Sequence, residues 1–126
     1  GIHYTNLMAD IKNELNQQVD LAVAAGVWLE QIIIDPGIGF GKTVEQNLEI
    51  LDRMNDLKTL GFPLLSGPSR KSFIGYMLDL PPEQRVEGTA AAVAISIDRG
   101  ADIVRVHDVG PMVKIARMTD AIVRRG

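Results

Sequence analysis

Polar and charged residues directly follow three short apolar runs in this chain of 126 residues. The runs and their polar continuations are Ile32-Ile33-Ile34 before residues 35–42, Pro63-Leu64-Leu65 before residues 66–72, and Ile103-Val104 before residues 105–108. A helical pattern comes after each run. An apolar strand that stops at polar residues before a helix is typical of a βα unit, and α/β proteins carry their chemistry at such carboxyl ends. The three units therefore predict one shared functional site.

The third run ends at a pair of residues suited to binding an anion. Side chains alternate along a strand, so Ile103, Arg105 and His107 are predicted to share one face. The turn that begins at Asp108 opens the next helix, and a guanidinium beside a helix N-terminus favours a phosphate or pyrophosphate site. The alternative is structural: Arg105 would form a surface salt bridge with Asp108, and His107 would be an ordinary satisfied polar residue.

The first polar cluster resembles two nucleotide-binding motifs without matching either. The Walker pattern needs a glycine five positions before Gly41, where the chain has Pro36. The dinucleotide fingerprint fails because Lys42 occupies the place of its last glycine. What remains is a glycine-rich loop that would let Phe40 and Lys42 approach a ligand.

Two further side chains could contact a ligand or serve only the fold. Asp35 could accept paired N–H donors from a heterocycle, or it could cap the turn that follows it. Lys71 stands at a predicted helix start, where the helix dipole disfavours a cation, so a ligand-facing role and a solvated basic turn both remain open. Ser69 is predicted to cap the short helix that runs to Leu78.

The elements that position these residues follow the order α-βα-βα(α)-βα. The predicted elements are a helix at 6–25, strands at 31–35, 63–67 and 102–107, a helix from the capping box at 43–46 to about Thr59, and a last helix with Pro111 in its first turn. Trp28 and Leu29 are predicted to pack at the first helix-to-strand turn. This order predicts a parallel sheet. Three strands cannot close a barrel, which leaves a small open α/β domain or the C-terminal half of a barrel.

Composition limits the function classes. Hydrophobic residues make up 46% and charged residues 23% of the chain, which suits one globular domain. A net charge of −3 argues against nucleic acid as the main partner, and no apolar run is long enough to span a bilayer. The absence of cysteine excludes disulfides, thiolate zinc sites and cysteine nucleophiles. A cytoplasmic location is expected, and His3, which has no second ligand at metal spacing, is predicted to lie on the surface.

Four segments are distinctive when they are taken together: Ile34 to Lys42 (IDPGIGFGK), Ser66 to Gly75 (SGPSRKSFIG), Gly88 to Ala91 (GTAA) and Val104 to Val109 (VRVHDV). They closely resemble the C-terminal half of bacterial dihydropteroate synthases, and they occur in that family's order over nearly the whole chain. The resemblance implies the C-terminal half of a (β/α)₈ TIM barrel, with 1–126 as a single partial domain. The implied reaction condenses 6-hydroxymethyl-7,8-dihydropterin pyrophosphate with 4-aminobenzoate to give 7,8-dihydropteroate and pyrophosphate in folate biosynthesis.

The resemblance assigns seven residues to three ligands. The assignments are Asp35, Gly67 and Lys71 to the pterin, Phe40 and Ser72 to 4-aminobenzoate, where sulfonamides also bind in this family, and Arg105 and His107 to the pyrophosphate. Arg105, His107 and Lys71 are the implied catalytic residues. The helix N-terminus and Arg105 would stabilise the negative charge that builds on the leaving pyrophosphate, and no side chain need act as a covalent nucleophile.

The resemblance also implies a Mg²⁺ ion, with its ligand expected in the N-terminal half of the barrel, and a homodimer when the protein is full length. The family's asparagine near the pyrophosphate and the metal, its mobile substrate loops and its further pterin-binding residues are absent from these 126 residues. Half a barrel would leave two strand edges unpaired, so the chain alone is predicted to be inactive. A pterin-dependent methyltransferase fragment, which would have no pyrophosphate leaving group, and a non-catalytic, self-associating half-barrel remain as alternatives.

Overall fold

A computed structural model describes residues 6–125 as a helix-rich α/β structure with a two-stranded parallel sheet. Its elements are the α-helices α1 (Leu7–Ala24), α2 (Val44–Asp52), α3 (Ser72–Leu78), α4 (Val86–Asp98) and α5 (Val109–Val123), the strands β1 (Leu65–Ser66) and β2 (Ile103–Val104), and 3₁₀ helices at Leu29–Gln31, Met54–Leu60 and Pro82–Gln84. None of the described helices is long and apolar enough to cross a membrane. His3 lies outside the described residues, so its surface position stays a prediction.

Helix ends follow local capping chemistry. The Asn6 side chain accepts a hydrogen bond from the Ala9 N–H at 3.2 Å, where α1 begins. The predicted capping box opens α2: the Gln46 N–H donates to Thr43 Oγ1 at 3.1 Å, and the Thr43 N–H donates to Gln46 Oε1 at 2.8 Å. These bonds pair N–H groups that the first helical turn cannot pair itself. Gly61, with a φ of 86°, ends the Met54–Leu60 helix as predicted.

The three apolar runs lie side by side in chain order, but only two of them form strands. Leu65 of β1 pairs with Ile103 of β2 in parallel register. Ile34 joins this pair through a single parallel bridge to Leu64. The parallel arrangement is therefore confirmed, whereas three full strands are not. The alternation predicted for residues 103–107 is confirmed, because positions 103, 105 and 107 are exposed and the two valines between them are half-buried.

Two apolar clusters hold the helices against the sheet. The larger one joins α1, α2, the Met54–Leu60 helix and α3 around Leu64, which lies directly before β1 and is completely buried. The smaller one joins α4 and α5, with Val93, Ile97 and Met112 at its centre, and Val104 and Val106 pack against it. The second cluster therefore fixes β2 and the segment after it, which carries Arg105 and His107.

Two local expectations were wrong. The helix expected to reach Thr59 ends at Asp52, because Arg53 leaves the α-helical conformation (φ −111°, ψ 22°) and the chain continues as a 3₁₀ helix. Trp28 and Leu29 do not pack at the turn: they are 71% and 56% exposed. The turn closes through polar contacts instead, since the Trp28 N–H donates to Gln31 Oε1 at 3.3 Å and the Gln31 N–H donates to the Trp28 carbonyl at 2.9 Å.

Asp102, directly before β2, connects this strand to the segment before β1 and to the Met54–Leu60 helix. Its Oδ2 accepts the Leu64 N–H at 3.0 Å and the Lys58 ammonium at 2.5 Å. The Asp102 N–H in turn donates to the Leu64 carbonyl at 2.8 Å. Burial opposes ionisation of this carboxyl group, but the hydrogen bonds from Lys58 and Leu64 outweigh burial and lower the pKa of Asp102.

Asp102→Asn is expected to lower the free energy of unfolding near neutral pH by about 1 kcal/mol or less, because the carboxylate is solvent-screened. A depressed pKa in the folded state stabilises above the unfolded value of about 3.9, and this contribution is lost as the pH falls through the folded value. The difference between wild type and variant in urea unfolding should therefore be present at about pH 7 and vanish by about pH 2. Asp20→Asn, at an exposed position of α1, is the control. An equal Asp102→Asn difference at both pH values would contradict the assignment.

Candidate anion-binding site

A cavity of about 380 Å³ opens at the carboxyl ends of β1 and β2. Its lining residues are Gly67, Ser69, Lys71, Arg105, Val106 and His107. The lining therefore comes from the second and third polar clusters, and it carries two fixed cations and an imidazole. Such a set of donors suits an anion with several oxygens.

Arg105 extends from the end of β2 across the cavity towards the first polar cluster. A Cβ atom placed on Gly67 would lie 2.8 Å from Arg105 Nη2, so the absence of a side chain at Gly67 leaves room for the guanidinium. The other terminal nitrogen, Nη1, lies 4.0 Å from Asp35 Oδ2. Arg105 thereby connects all three strand ends, with a side chain that is 59% exposed and free to meet a ligand.

His107 is held by a buried serine. Ser69 is 4% exposed, and its Oγ lies 2.7 Å from His107 Nδ1. The same oxygen accepts the backbone N–H of His107 at 3.0 Å. Ser69 was expected to cap α3; that expectation was wrong, because α3 begins at Ser72 after the uncapped residue Lys71. The hydroxyl connects the loop after β1 to the loop after β2 instead.

Lys71 lies between the cavity and the first polar cluster. Its ammonium nitrogen is 4.2 Å from the centre of the Phe40 ring, a cation–π distance. A Cβ atom on Gly39 would lie 2.9 Å from Lys71 Cδ, and Gly39 also has a positive φ of 87°. Glycine at that position therefore permits both the turn and the approach of Lys71. Phe40 itself is 62% exposed, beside the lysine.

The salt bridge between Arg105 and Asp108, which was the structural alternative, does not form. Asp108 is bound by Arg70, whose Nη2 and Nε lie 2.7 Å and 3.2 Å from its two carboxylate oxygens. This hydrogen-bonded pair raises the pKa of Arg70 and lowers the pKa of Asp108. Arg70 thus neutralises the carboxylate at the start of α5, and Arg105 is left for the cavity.

Contacts within the first loop bear on two expectations about it. Asp35 caps the turn, since its Oδ1 accepts the Gly37 N–H at 2.8 Å, while its Oδ2 is the oxygen near Arg105. The Lys42 ammonium donates to the carbonyls of Gly37 and Phe40, both at 3.0 Å, and its approach to a ligand stays a prediction. Burial lowers the pKa of Lys42, against the carboxylates that raise it. Lys42 therefore stabilises the loop through hydrogen bonds to its own backbone.

Three positioning contacts had no counterpart in the sequence reasoning. Buried Asn47 of α2 accepts the Gly39 N–H at 2.8 Å and so shapes the first loop. Thr89 of α4 accepts the Arg70 N–H at 3.0 Å, and Arg85 donates to the Arg70 carbonyl at 2.9 Å. Thr89 does stand inside one of the four distinctive segments, which was the available signal. Ser72 is exposed at the first position of α3 and does not line the cavity.

The described residues do not form a metal centre of their own. Residues 6–125 contain no group of three or more histidine, aspartate or glutamate side chains placed to hold an ion. Asp35 already uses one oxygen for the turn, and its other oxygen lies 4.0 Å from Arg105 Nη1.

The chain belongs to the family of pterin binding enzymes, whose pattern matches residues 1–107. Within that family it is 55% identical over 123 residues to a dihydropteroate synthase of Clostridium beijerinckii, across 97% of this chain and 46% of that protein. The crystal structure of Clostridium difficile dihydropteroate synthase with pteroic acid matches it with a TM-score of 0.96 at 49% identity, over 99% of this chain and 48% of that one. The Xanthomonas albilineans enzyme with 4-aminobenzoic acid matches with a TM-score of 0.92 at 38% identity, over 96% and 45%. The chain thus spans about half the length of the curated relatives it matches.

Proposed function

We propose that this chain provides the C-terminal half of a dihydropteroate synthase TIM barrel. The reaction condenses 6-hydroxymethyl-7,8-dihydropterin pyrophosphate with 4-aminobenzoate and releases pyrophosphate. The observation that carries the proposal is the cavity shared by Arg105, His107 and Lys71 at adjacent strand ends, in a chain 55% identical to such an enzyme. Relatives crystallised with pteroic acid and with 4-aminobenzoic acid support the same substrate pair.

The pyrophosphate is assigned to Arg105 and His107. Breaking the bond between the pterin methylene and the pyrophosphate oxygen builds negative charge on the leaving group. A guanidinium that lines the cavity stabilises that charge, and such electrostatic stabilisation is usually the largest single contribution to catalysis. The pairing of Arg70 with Asp108 supports this assignment, because an unneutralised carboxylate beside His107 would repel the anion.

The pterin is assigned to Asp35, Gly67 and Lys71. Asp35 keeps its Oδ2 for a ring N–H, since Oδ1 is engaged by the turn. Gly67 has no side chain, so a flat ring reaches its backbone when the Arg105 guanidinium, which lies beside Gly67 in the ligand-free chain, turns towards the pyrophosphate. Lys71 lines the cavity, where it can donate to the keto oxygen. Phe40 and Ser72, both exposed, are assigned to the border of the 4-aminobenzoate pocket, where sulfonamides would compete.

The amine of 4-aminobenzoate attacks the electrophilic methylene, and the pyrophosphate departs with the electrons of the broken bond. The attacking nitrogen then loses one proton to the departing pyrophosphate or to water. Positioning of both substrates lowers the entropic part of the barrier, and the cations of the cavity stabilise the leaving group. No described side chain is required to form a covalent bond. A Mg²⁺ ion, when bound by ligands outside this chain, would supply further charge stabilisation to the pyrophosphate.

Exposed apolar side chains beside the sheet support the half-barrel architecture. Ile103 in β2 is 38% exposed, and Ile33, next to the bridge residue Ile34, is 51% exposed, although a parallel sheet is normally covered on both faces. In a closed barrel the remaining strands would cover them. A homodimeric full-length enzyme and a cytoplasmic location complete the proposal, in line with synthesis of folate from soluble precursors.

The chain alone is expected to release no pyrophosphate when both substrates are supplied, because the remaining strands and their substrate loops are missing. Colorimetric detection of pyrophosphate, with a full-length dihydropteroate synthase as positive control, measures this. Turnover by the purified 126-residue chain would contradict the half-barrel proposal.

Calorimetry separates the proposal from its alternatives. Binding of pterin pyrophosphate that is stronger than binding of the free pterin alcohol supports the synthase assignment, since only the former offers a pyrophosphate to Arg105. Equal affinity for the two would instead favour a pterin-dependent methyltransferase. No binding of either, together with a concentration-dependent oligomer in sedimentation experiments, would favour a non-catalytic, self-associating half-barrel.

A further inference from the structure

The contact between Ser69 and His107 connects two loops, and the direction of its hydrogen bond determines which ring nitrogen of His107 carries the proton. A serine hydroxyl has one hydrogen to donate and two lone pairs with which to accept. One lone pair of Ser69 Oγ receives the backbone N–H of His107 at 3.0 Å, and this N–H can only donate. The remaining contact, 2.7 Å to His107 Nδ1, can run in either direction.

Burial decides the direction. If Nδ1–H donated to Ser69, the hydroxyl hydrogen of a residue that is 4% exposed would have no acceptor among the hydrogen bonds of residues 6–125. An unpaired buried donor is unfavourable, and such groups are rare in folded proteins. The hydroxyl therefore donates to Nδ1, and Nδ1 carries no proton.

We propose that Ser69 is a positioning residue that holds the neutral His107 ring in the tautomer protonated on Nε2, so that His107 presents an N–H donor to an anion in the cavity. Within the described part of the chain no hydrogen bond engages Nε2, and the ring lines the cavity together with Arg105 and Lys71. A donor fixed before binding does not have to be ordered by the ligand. The identity of the anion as a pyrophosphate rests on the proposed function.

Nitrogen-15 NMR of the chain tests the tautomer directly. A His3→Gln background leaves one imidazole, and long-range proton–nitrogen correlations distinguish the two neutral tautomers from the imidazolium. In mildly alkaline buffer, Nδ1 should show the shift of an unprotonated acceptor. Ser69→Ala should move both ring nitrogens towards a tautomer mixture, and Ser69→Thr, which keeps the hydroxyl, should restore the wild-type pattern.

A protonated Nδ1 in the wild-type spectrum would overturn the proposal, and so would ring shifts that Ser69→Ala leaves unchanged. If Ser69→Ala fails to fold, the wild-type spectrum and Ser69→Thr still decide. Titration with inorganic pyrophosphate completes the test: Ser69→Ala should bind about fivefold to tenfold more weakly, and Ser69→Thr within about twofold of wild type. An altered tautomer with unchanged affinity would overturn the positioning role.

The two proposals fail separately. If the wild-type chain does not bind pyrophosphate, the proposed anion site fails, whereas the ligand-free spectrum still reports on Ser69 and His107. If pyrophosphate binds and the tautomer is the other one, the proposed function stands and the role of Ser69 is overturned.

Discussion

Arg105→Ala is expected to weaken the binding of inorganic pyrophosphate by about 10- to 100-fold, because a hydrogen bond to a charged group contributes about 1.5–3 kcal/mol. The guanidinium offers two parallel donors to phosphate oxygens, and it already projects into the cavity past Gly67. Stability should change little, since the side chain is 59% exposed. Calorimetry at one fixed ionic strength measures the loss, because salt screens exposed charges.

Two further variants separate charge from geometry. Arg105→Lys keeps the charge but loses the planar fork, so a loss of about 3- to 10-fold is expected. Arg117→Ala removes an equal charge from an exposed position of α5, where Arg117 lines a different cavity with Asp102 and Asp120. This variant should leave affinity within about twofold. Equal losses for Arg105→Ala and Arg117→Ala would show that only net charge matters, and would contradict a specific site.

Leu64→Ala is expected to lower the free energy of unfolding by about 2–5 kcal/mol, the usual cost of emptying a core leucine site. Leu64 is completely buried in the larger apolar cluster. Its backbone also lies at the centre of the sheet, because its carbonyl accepts the N–H groups of Asp102 and Ile103 and it bridges to Ile34. A cavity here would loosen the strand that leads to Ser66 and Gly67. Urea unfolding followed by circular dichroism measures the change.

Matched substitutions show whether burial is the cause. Leu64→Val removes one methylene and should lower the free energy of unfolding by about 1 kcal/mol. This milder variant can still be measured if Leu64→Ala does not fold. Leu29→Ala makes the same chemical change at a side chain that is 56% exposed, and should stay within about 0.5 kcal/mol of wild type. Similar losses for Leu64→Ala and Leu29→Ala would mean that the buried cluster is not the source of stability.

Local patterns predicted the elements whose signals are local. The capping box at Thr43 and the terminating Gly61 lie where predicted, because capping depends on residues within one turn. The alternation along residues 103–107 also holds, since a strand directs successive side chains to opposite faces. The prediction that the second helix reaches Thr59 was wrong, although the apolar periodicity continues that far. The apolar pattern does not show the conformation of Arg53 or its ion pairs with Glu49 and Asp56.

The sequence by itself determined the family, the parallel order of the strand segments and the polar clusters that follow them. These features depend on residue identity and on spacing along the chain. Only the tertiary structure decided which partner each polar group takes. Asp108 binds Arg70 and not Arg105, Ser69 binds His107 and does not cap α3, and Lys42 binds its own loop. These choices depend on distances of a few ångströms between segments that are up to 38 residues apart, and no periodicity encodes such distances.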